Sequence, residues 1–197
     1  MPDAVIIDSG GANLASLLFA LRRLDAQAEV TADSAAIRSA PRVILPGVGS
    51  AGDAMQRLAR AGLTTLLPSL TQPVLGICLG MQLLFERSEE GPTACLGVLP
   101  DTVRKLQPTA DRAVPHMGWN QLQPRTADPL LAGIEPGDYV YFVHSYAVPV
   151  GAATVATADY GGPLSAVVRR GNFWGTQFHP ERSAAIGARI LANFLRL

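Results

Sequence analysis

The sequence predicts an α/β fold, with an open, mixed and mostly parallel sheet that has helices on both faces. Three apolar runs, at residues 4–7, 43–45 and 74–77, end at turns that contain or adjoin glycine, and a helical pattern follows each run. Beyond about residue 95 the pattern changes to closely spaced β-type segments, which indicates antiparallel or mixed strands. Alternating strands and helices are typical of parallel strands with crossover helices, so a site is expected at the carboxyl ends of those strands.

The first two units have the same order of strand, loop and helix. The run at residues 4–7 ends at Asp8 and two glycines, and leucines at helical spacing follow, with Asn13 as the expected helix N-cap. The run at residues 43–45 ends at the glycine turn 46–49, and a second helical pattern continues to residue 67.

The third unit is predicted to be a strand over residues 74–77, a turn at Cys78 and a helix over residues 81–85. An amphipathic helix over residues 184–195 closes the chain. Because glycine and proline are scattered rather than gathered in a linker, we expect one domain over residues 1–197. Further β-type segments are predicted at residues 98–99, 103–105, 119–122, 139–143, 165–168 and 173–178.

The composition argues against several classes of function. Sixteen basic and sixteen acidic residues give a net charge of 0, so no basic field attracts nucleic acid or an anionic membrane surface. No apolar stretch approaches the length of a membrane span and the N-terminus has no basic flank, so we expect a soluble, cytoplasmic protein. In that setting Cys78 and Cys95 stay reduced, and Cys95 is expected to be a small buried hydrophobe.

Residues 76–81, Gly-Ile-Cys-Leu-Gly-Met, are typical of a nucleophile elbow. In an elbow a strand enters a sharp turn, the nucleophile is held at the tip in strained geometry, and small neighbours allow close packing. The nucleophile here would be the thiol of Cys78. A single cysteine is more often a buried hydrophobe, so the hypothesis needs a base elsewhere in the chain.

A base and its orienting group are predicted at His179 and Glu181, within residues 175–181. Side chains two residues apart in an extended segment point to the same side, so the Glu181 carboxylate is expected to contact one ring nitrogen of His179. The other nitrogen would face the thiol. A lone histidine is more often structural, but the elbow and the His-Pro-Glu tripeptide together favour acyl chemistry on a cysteine.

Acyl chemistry also needs hydrogen-bond donors for the oxyanion that forms. One candidate is the backbone N–H of Leu79, directly after the nucleophile. The other is the glycine turn 46–49, in which Gly47 and Val48 are the expected donors. An ordinary strand-to-helix connection explains this turn equally well from spacing alone.

Several segments resemble those of class I (triad-type) glutamine amidotransferases, namely residues 46–49, 76–82 and 178–181. Residues 115–120, Pro-His-Met-Gly-Trp-Asn, and residues 141–146, Tyr-Phe-Val-His-Ser-Tyr, resemble one branch of that class. This branch comprises the glutaminase subunits of imidazole glycerol phosphate synthase, an enzyme of histidine biosynthesis. The resemblance covers nearly the whole chain and implies a flavodoxin-like sheet.

The resemblance implies that glutamine is hydrolysed through a γ-glutamyl thioester on Cys78, with His179 as proton carrier and Glu181 as its partner. It implies delivery of the ammonia to a cyclase subunit, a (β/α)₈ barrel, in a heterodimer. That subunit would form imidazole glycerol phosphate and an aminoimidazole carboxamide ribotide. No metal or organic cofactor is implied for the glutaminase, and neither nucleic acid nor a membrane is expected as a partner.

Further residues follow from the same resemblance. One of them is Glu90, which the resemblance places at bound glutamine; an alternative interpretation is that Glu90 is a solvated residue at a helix end. Arg182 is at a position where many relatives have lysine, and Ser9 and Ala12 also differ from the pattern common in the family. These three differences affect the expected docking to the cyclase and not the triad. The residues expected at bound glutamine are Gly49, Gln82, Glu90, His144, Ser145 and Tyr146, and those expected at the cyclase interface are Asn13, Trp119, Asn120 and Arg182.

Other interpretations remain open at this point. A glutaminase subunit of another pathway would share the triad. A stand-alone cysteine hydrolase of similar fold would leave residues 115–120 and 141–146 without a role. A catalytically silent binding subunit is disfavoured because a nucleophile, a base and an orienting group are all present.

Overall fold

A computed structural model describes residues 2–8, 14–110 and 112–197. The strands are β1 Ala4–Ile7, β2 Ala28–Thr31, β3 Val43–Gly47, β4 Val74–Cys78, β5 Phe85–Ser88, β6 Thr93–Ala94, β7 Leu99–Lys105, β8 His116–Gln121, β9 Gln123–Pro124, β10 Tyr139–His144, β11 Tyr146–Ala147, β12 Thr154–Asp159, β13 Pro163–Arg170 and β14 Phe173–Thr176. The α-helices are α1 Leu14–Arg22, α2 Ser34–Ser39, α3 Ala51–Arg60, α4 Leu63–Leu66, α5 Leu79–Leu83 and α6 Ala184–Phe194.

The main sheet has the strand order β2-β1-β3-β4-β14-β13-β12-β9 within the described part of the chain. Strands β2, β1, β3, β4 and β14 are parallel, and β13, β12 and β9 continue the sheet with antiparallel pairing. The prediction of an open, mixed and mostly parallel sheet is therefore confirmed. Because β3, β4 and β14 are adjacent and parallel, the segments that follow them leave the sheet at one common edge.

Strands β1, β3 and β4 at the centre of the main sheet are buried on both faces, which explains why they show unbroken apolar runs. In β1, Ala4 and Ile6 pack in the core beside helices α1 and α6, whereas Val5 and Ile7 pack in the core beside α2, α3 and α4. This alternation follows from the two-residue repeat of a strand, and it places helices on both faces as predicted.

Among residues 2–8, 14–110 and 112–197, two smaller sheets accompany the main one. Strands β8 and β10 pair antiparallel and form what we call the small sheet. Strands β11, β7, β5 and β6 form the other. The prediction of antiparallel or mixed strands beyond residue 95 is confirmed.

Some local predictions are wrong. The helix expected over residues 81–85 begins and ends earlier, at Leu79–Leu83, and Phe85 starts β5, where it pairs with Leu99 of β7. A short apolar run fits a buried helix and a buried strand equally well, so the pairing with β7 decided the outcome. Cys95 is only partly buried. Strands β2 and β12 and helix α2 were not predicted.

Candidate active site

Cys78 lies where β4 ends and α5 begins, as an elbow requires. Its backbone angles are φ 53° and ψ −110°, a region that is strained for a residue with a Cβ atom. The side chain is buried. The surrounding structure therefore holds the thiol in one orientation at the carboxyl edge of the parallel strands.

Glycines allow the elbow to pack at this edge. A Cβ atom on Gly76 would lie 2.7 Å from the backbone of Met81, and one on Gly80 would overlap the carbonyl oxygen of Leu45. Gly47, opposite Cys78 in the pairing of β3 with β4, is equally close to α5. The turn after β3 and the start of α5 are thus in direct backbone contact.

His179 follows β14, the parallel neighbour of β4, and the topology brings it to the edge where Cys78 lies. Its Nδ1 atom lies 2.8 Å from Oε1 of Glu181, and both side chains are buried. The reason given from the sequence for this contact is wrong. Glu181 belongs to the 3₁₀ turn Pro180–Arg182, and this turn, rather than strand alternation, brings the carboxylate to the ring.

Opposing effects act on the pKa of His179. Burial lowers it, but hydrogen bonding to Cys78 and Glu181 and the negative charges of those two groups raise it further, to about 10. The imidazole is therefore protonated at neutral pH when the thiolate is present beside it. A thiolate paired with an imidazolium is the reactive form of a cysteine nucleophile.

Gln177 also contacts the thiol and was assigned no role from the sequence. Its Nε2 atom lies 3.8 Å from Sγ of Cys78, and its Oε1 atom accepts a hydrogen bond from Gln82. On another side, the Cys78 thiol donates to the carbonyl of Val143 at 3.8 Å. The signal in the sequence was the position of Gln177 two residues before His179, on the same motif.

The predicted residues converge on one cavity of about 350 Å³, a volume in the range of small-molecule sites. Gly47 and Glu181 are absent from its lining, but both line an adjoining cavity of about 20 Å³ that His179 and Val48 share. The main cavity is lined by Val48, Gly49, Cys78, Leu79, Gln82, Glu90, Pro115, Val143, His144, Ser145, Tyr146 and His179.

Glu90 is not at a helix end but in the turn between β5 and β6. Its Oε2 atom accepts a hydrogen bond of 2.8 Å from the backbone N–H of Ala51, the first residue of α3. This bond attaches one wall of the cavity to the helix that directly follows the glycine turn 46–49. A negative charge at a helix N-terminus is also favourable.

The four residues expected at a partner interface have different environments. Asn13 lies outside the described residues. Trp119 is exposed on β8, and the guanidinium of Arg182 lies 4.5 Å from the ring centre of Tyr141. Asn120 instead bonds within the chain, since its Nδ2 atom donates to the carbonyl of Asp159 at 2.8 Å.

Two kinds of feature are absent from the described ranges. No group of three or more His, Cys, Asp or Glu side chains there is arranged to hold a metal ion. In the same ranges, no helix has both the length and the apolar character needed to cross a membrane.

This arrangement defines a class of protein. A buried, strained cysteine at an elbow, a histidine and carboxylate after a neighbouring parallel strand, and a small-molecule cavity beside them have the arrangement that a cysteine-dependent acyl-transfer site requires. The sequence profile of the family "Glutamine amidotransferase class-I" matches residues 5–197. The chain therefore belongs to the class I glutamine amidotransferases.

Individual relatives are similar over the full length. The chain is 55% identical over 197 residues to "Imidazole glycerol phosphate synthase subunit HisH" of Xylella fastidiosa, covering 100% of this chain and 98% of the relative. It is 56% identical, with the same coverage, to the protein of that name from Xanthomonas euvesicatoria.

Solved structures support the fold at much lower identity. One described as "Crystal structure of glutamine amidotransferase" superposes with a TM-score of 0.75 at 19% identity, covering 98% of this chain and 97% of that one. "Structure of PurLQS from Thermotoga maritima" gives a TM-score of 0.72 at 21% identity with the same coverage.

Proposed function

We propose that this chain is the glutaminase subunit of an imidazole glycerol phosphate synthase. The observation that carries the proposal is that Cys78, His179 and the predicted glutamine-contacting residues line one cavity. The chain in which they do so is 55% identical, end to end, to a subunit with that name. Identity over the full length favours this pathway over other amidotransferases and over a stand-alone hydrolase.

The first half of the proposed reaction forms a thioester. The Cys78 thiolate attacks the side-chain amide carbon of glutamine, and the carbonyl oxygen becomes an oxyanion. Backbone N–H groups of Leu79 and of the turn at Gly47 and Val48 are the proposed donors to that oxyanion. The His179 imidazolium then protonates the amide nitrogen, the carbon–nitrogen bond breaks, and ammonia leaves.

The second half releases glutamate. A water molecule attacks the thioester while neutral His179 accepts one of its protons. The carbon–sulfur bond breaks, which regenerates the Cys78 thiolate and the imidazolium. Glu181 holds the ring of His179 by the bond to Nδ1 in both halves of the reaction.

The exposed face of the small sheet, beside the triad, is suited to binding a partner protein. Met117, Trp119 and Tyr139 are 62%, 52% and 53% exposed, an unusual concentration of large apolar side chains on one surface. Arg182, which packs on Tyr141, extends this surface to the residue next to Glu181. An ammonia-accepting cyclase subunit bound here would lie next to the catalytic residues, which suits transfer of a volatile product.

The test is a Cys78→Ala variant assayed together with a cyclase subunit and its nucleotide substrate. Glutamate release should fall to background because the nucleophile is gone. The same complex should keep its synthase activity when ammonium salt replaces glutamine, because docking and cyclase chemistry do not use the thiol. Cys95→Ala is the matched control and should retain glutaminase activity.

Two results would contradict the proposal. Glutaminase activity retained in Cys78→Ala would remove the assigned nucleophile. Full stimulation by the synthase subunit of a different pathway, with none by the cyclase, would assign the chain to that pathway.

A further inference from the structure

His116 and His144 form a buried pair outside the triad. They lie opposite each other in the pairing of β8 with β10, and Nδ1 of His116 is 2.9 Å from Nε2 of His144. Their exposed fractions are 3% and 6%. Since His144 lines the cavity that holds Cys78, the pair links the interior of the small sheet to the active site.

The direction of this hydrogen bond follows from what lies beyond His144. Its Nδ1 atom is 2.8 Å from the backbone carbonyl of Tyr146. A carbonyl only accepts, so Nδ1 of His144 must carry a proton. In a neutral ring Nε2 is then an acceptor, and Nδ1 of His116 must be the donor to it.

The contacts of His116 require the same direction for the hydrogen bond between the two histidines. Nδ2 of Asn120 donates to the carbonyl of Asp159 at 2.8 Å and lies 3.2 Å from Nε2 of His116. Rotating this amide would bring its oxygen against that carbonyl, so the amide nitrogen must face His116. Nε2 of His116 is therefore an acceptor and its Nδ1 the protonated atom. Both ends thus select neutral rings protonated on Nδ1.

Packing and burial favour the same state. The His116 ring stacks on Phe142, with centroids 4.7 Å apart, and on Tyr160, with centroids 3.9 Å apart. These contacts fix the direction in which Nδ1 points. Burial lowers the pKa of His116 to about 4, and burial lowers the pKa of His144 to about 3 even though its hydrogen bond to the Tyr146 carbonyl acts to raise it. Both rings are therefore neutral at pH 7.

The pair also connects to the catalytic thiol. The Tyr146 carbonyl that accepts from His144 also accepts from Nε2 of Gln82, at 2.8 Å. Gln82 donates further to Gln177, whose Nε2 atom faces Sγ of Cys78. A shift of the Tyr146 carbonyl would therefore change the positions of groups both at the cavity wall and beside the nucleophile.

We infer that His116 is a positioning residue for glutamine binding: by donating Nδ1–H to His144, it fixes the His144 ring and the Tyr146 carbonyl at the cavity wall. His116 acts only through His144 and makes no contact with substrate. The inference rests on the proposed function, because the cavity is taken to hold glutamine.

The first test reads the protonation of the rings directly. Long-range ¹⁵N–¹H NMR of the unmodified chain at pH 7 distinguishes Nδ1–H from Nε2–H rings, and the chain has three histidines. His116→Phe identifies its own signal by loss. We expect His116 and His144 to be neutral and protonated on Nδ1. Either ring protonated on Nε2, or averaged between the two forms, overturns the inference.

The second test compares two variants in the glutaminase assay. His116→Phe keeps the ring stack but loses the donor, whereas His116→Asn places an amide N–H near the position of Nδ1. Losing a buried donor should raise KM for glutamine by about ten-fold in the Phe variant, with a much smaller change in kcat. The Asn variant should recover most of the KM. Equal impairment of both variants, or a loss confined to kcat, contradicts the inference.

A control and a second readout separate this inference from the proposed function. Tyr160→Phe keeps a ring against His116 but removes the hydroxyl that donates to Ala113, so it should leave KM unchanged. If the unmodified chain hydrolyses no glutamine with any cyclase, the proposed function fails. The NMR result then decides alone whether the His116 bond is fixed as described.

Discussion

The Cys78 sulfur is held between groups from three parts of the chain. Gln177 approaches it with an amide nitrogen, Val143 with a carbonyl, and His179 influences it by hydrogen bonding and charge. Gln177 donates towards the sulfur, whereas the Val143 carbonyl accepts from the thiol. The sulfur of the candidate nucleophile is therefore oriented by contacts on more than one side.

Glu181→Gln tests how much the carboxylate contributes. The negative charge of Glu181 is one of the causes that raise the pKa of His179 to about 10. An amide removes that charge but keeps a hydrogen-bonding group, so we expect kcat to fall by about 100-fold, less than in Cys78→Ala. The His179 pKa should fall, so the alkaline limb of the kcat profile should move to lower pH.

The comparison is a pH profile of glutamate release for the unmodified chain and the Gln variant with the same cyclase. An unchanged alkaline limb would mean that Glu181 does not set the protonation of His179. A loss as large as that of Cys78→Ala would assign the carboxylate a role beyond orientation and charge.

Stability in acid should depend on the buried histidine pair. The folded-state pKa values of His116 and His144, about 4 and 3, lie below the ordinary value of 6.5. Between pH 6.5 and 5 the unfolded chain therefore binds protons that the folded chain does not. The contribution of these two histidines to the free energy of unfolding is fully present above pH 6.5. It is lost as the pH falls, by about 2 kcal/mol per histidine at pH 5.

Urea unfolding at pH 6.5 and pH 5 measures this loss. Over that range His179 stays charged in the folded chain, because its pKa is raised to about 10, and the unfolded chain only goes from half to nearly fully charged at this residue, so His179 contributes little to the difference. His116→Phe removes one titrating group and should lose less stability than the unmodified chain. Equal losses in the two proteins would show that His116 does not titrate in this way.

At the scale of single elements, the elbow depends on contact between backbones. Strand β4, the turn at Cys78 and helix α5 fit against β3 because Gly47, Gly76 and Gly80 lack side chains. The same contact places the turn 46–49 next to the nucleophile. The proposed oxyanion donors and the thiol are therefore positioned by one packing arrangement.

Gly80→Ala should disrupt this arrangement. Its Cβ atom would overlap the carbonyl oxygen of Leu45 in β3, and neither backbone can move without displacing the sheet. We expect the free energy of unfolding to fall by about 3 kcal/mol or more. Chemical unfolding of the purified variant measures the change.

Gly52→Ala is the matched control. Gly52 is in α3, where an added Cβ atom would meet only the Thr93 hydroxyl oxygen at 3.5 Å, an ordinary contact. Alanine should stabilise that helix by about 0.5 kcal/mol. If both substitutions have similar effects, close packing at the elbow is not what requires glycine.

At the scale of the whole molecule, the two faces of the small sheet have different proposed roles. On one face Met117, Trp119 and Tyr139 are exposed, whereas His116, Phe142 and His144 are buried on the other. The proposed partner surface and the proposed support of the glutamine cavity are thus opposite sides of the same two strands.

Trp119→Ala should weaken assembly with the cyclase. An exposed tryptophan at the centre of an interface commonly contributes about 2 kcal/mol, so we expect a Kd about 30-fold higher. Titration calorimetry with the purified cyclase measures it. Phe19→Ala, which removes an exposed aromatic ring on α1, is the control and should bind with unchanged affinity; equal weakening would place the interface elsewhere.

The candidate triad could be proposed from the sequence because each of its parts has a local signal. The elbow glycines point to Cys78, and the His-Pro-Glu tripeptide points to His179 and Glu181, each from a few neighbouring residues. No role for Gln177 or His116 could be predicted, because their contacts depend on side chains 99 and 28 residues away along the chain. No periodicity specifies which residues face each other across two strands.

The amino-acid sequence by itself determined the alternation of strands and helices, the buried sheet and the choice of Cys78 as candidate nucleophile. These follow from apolar patterning and from glycines at turns, which act over a few residues. Only the tertiary structure decided how His179 meets Glu181 through a 3₁₀ turn, that Phe85 joins a strand, and which way the His116–His144 bond points. Those features depend on strand register and burial, which arise when distant segments pack together.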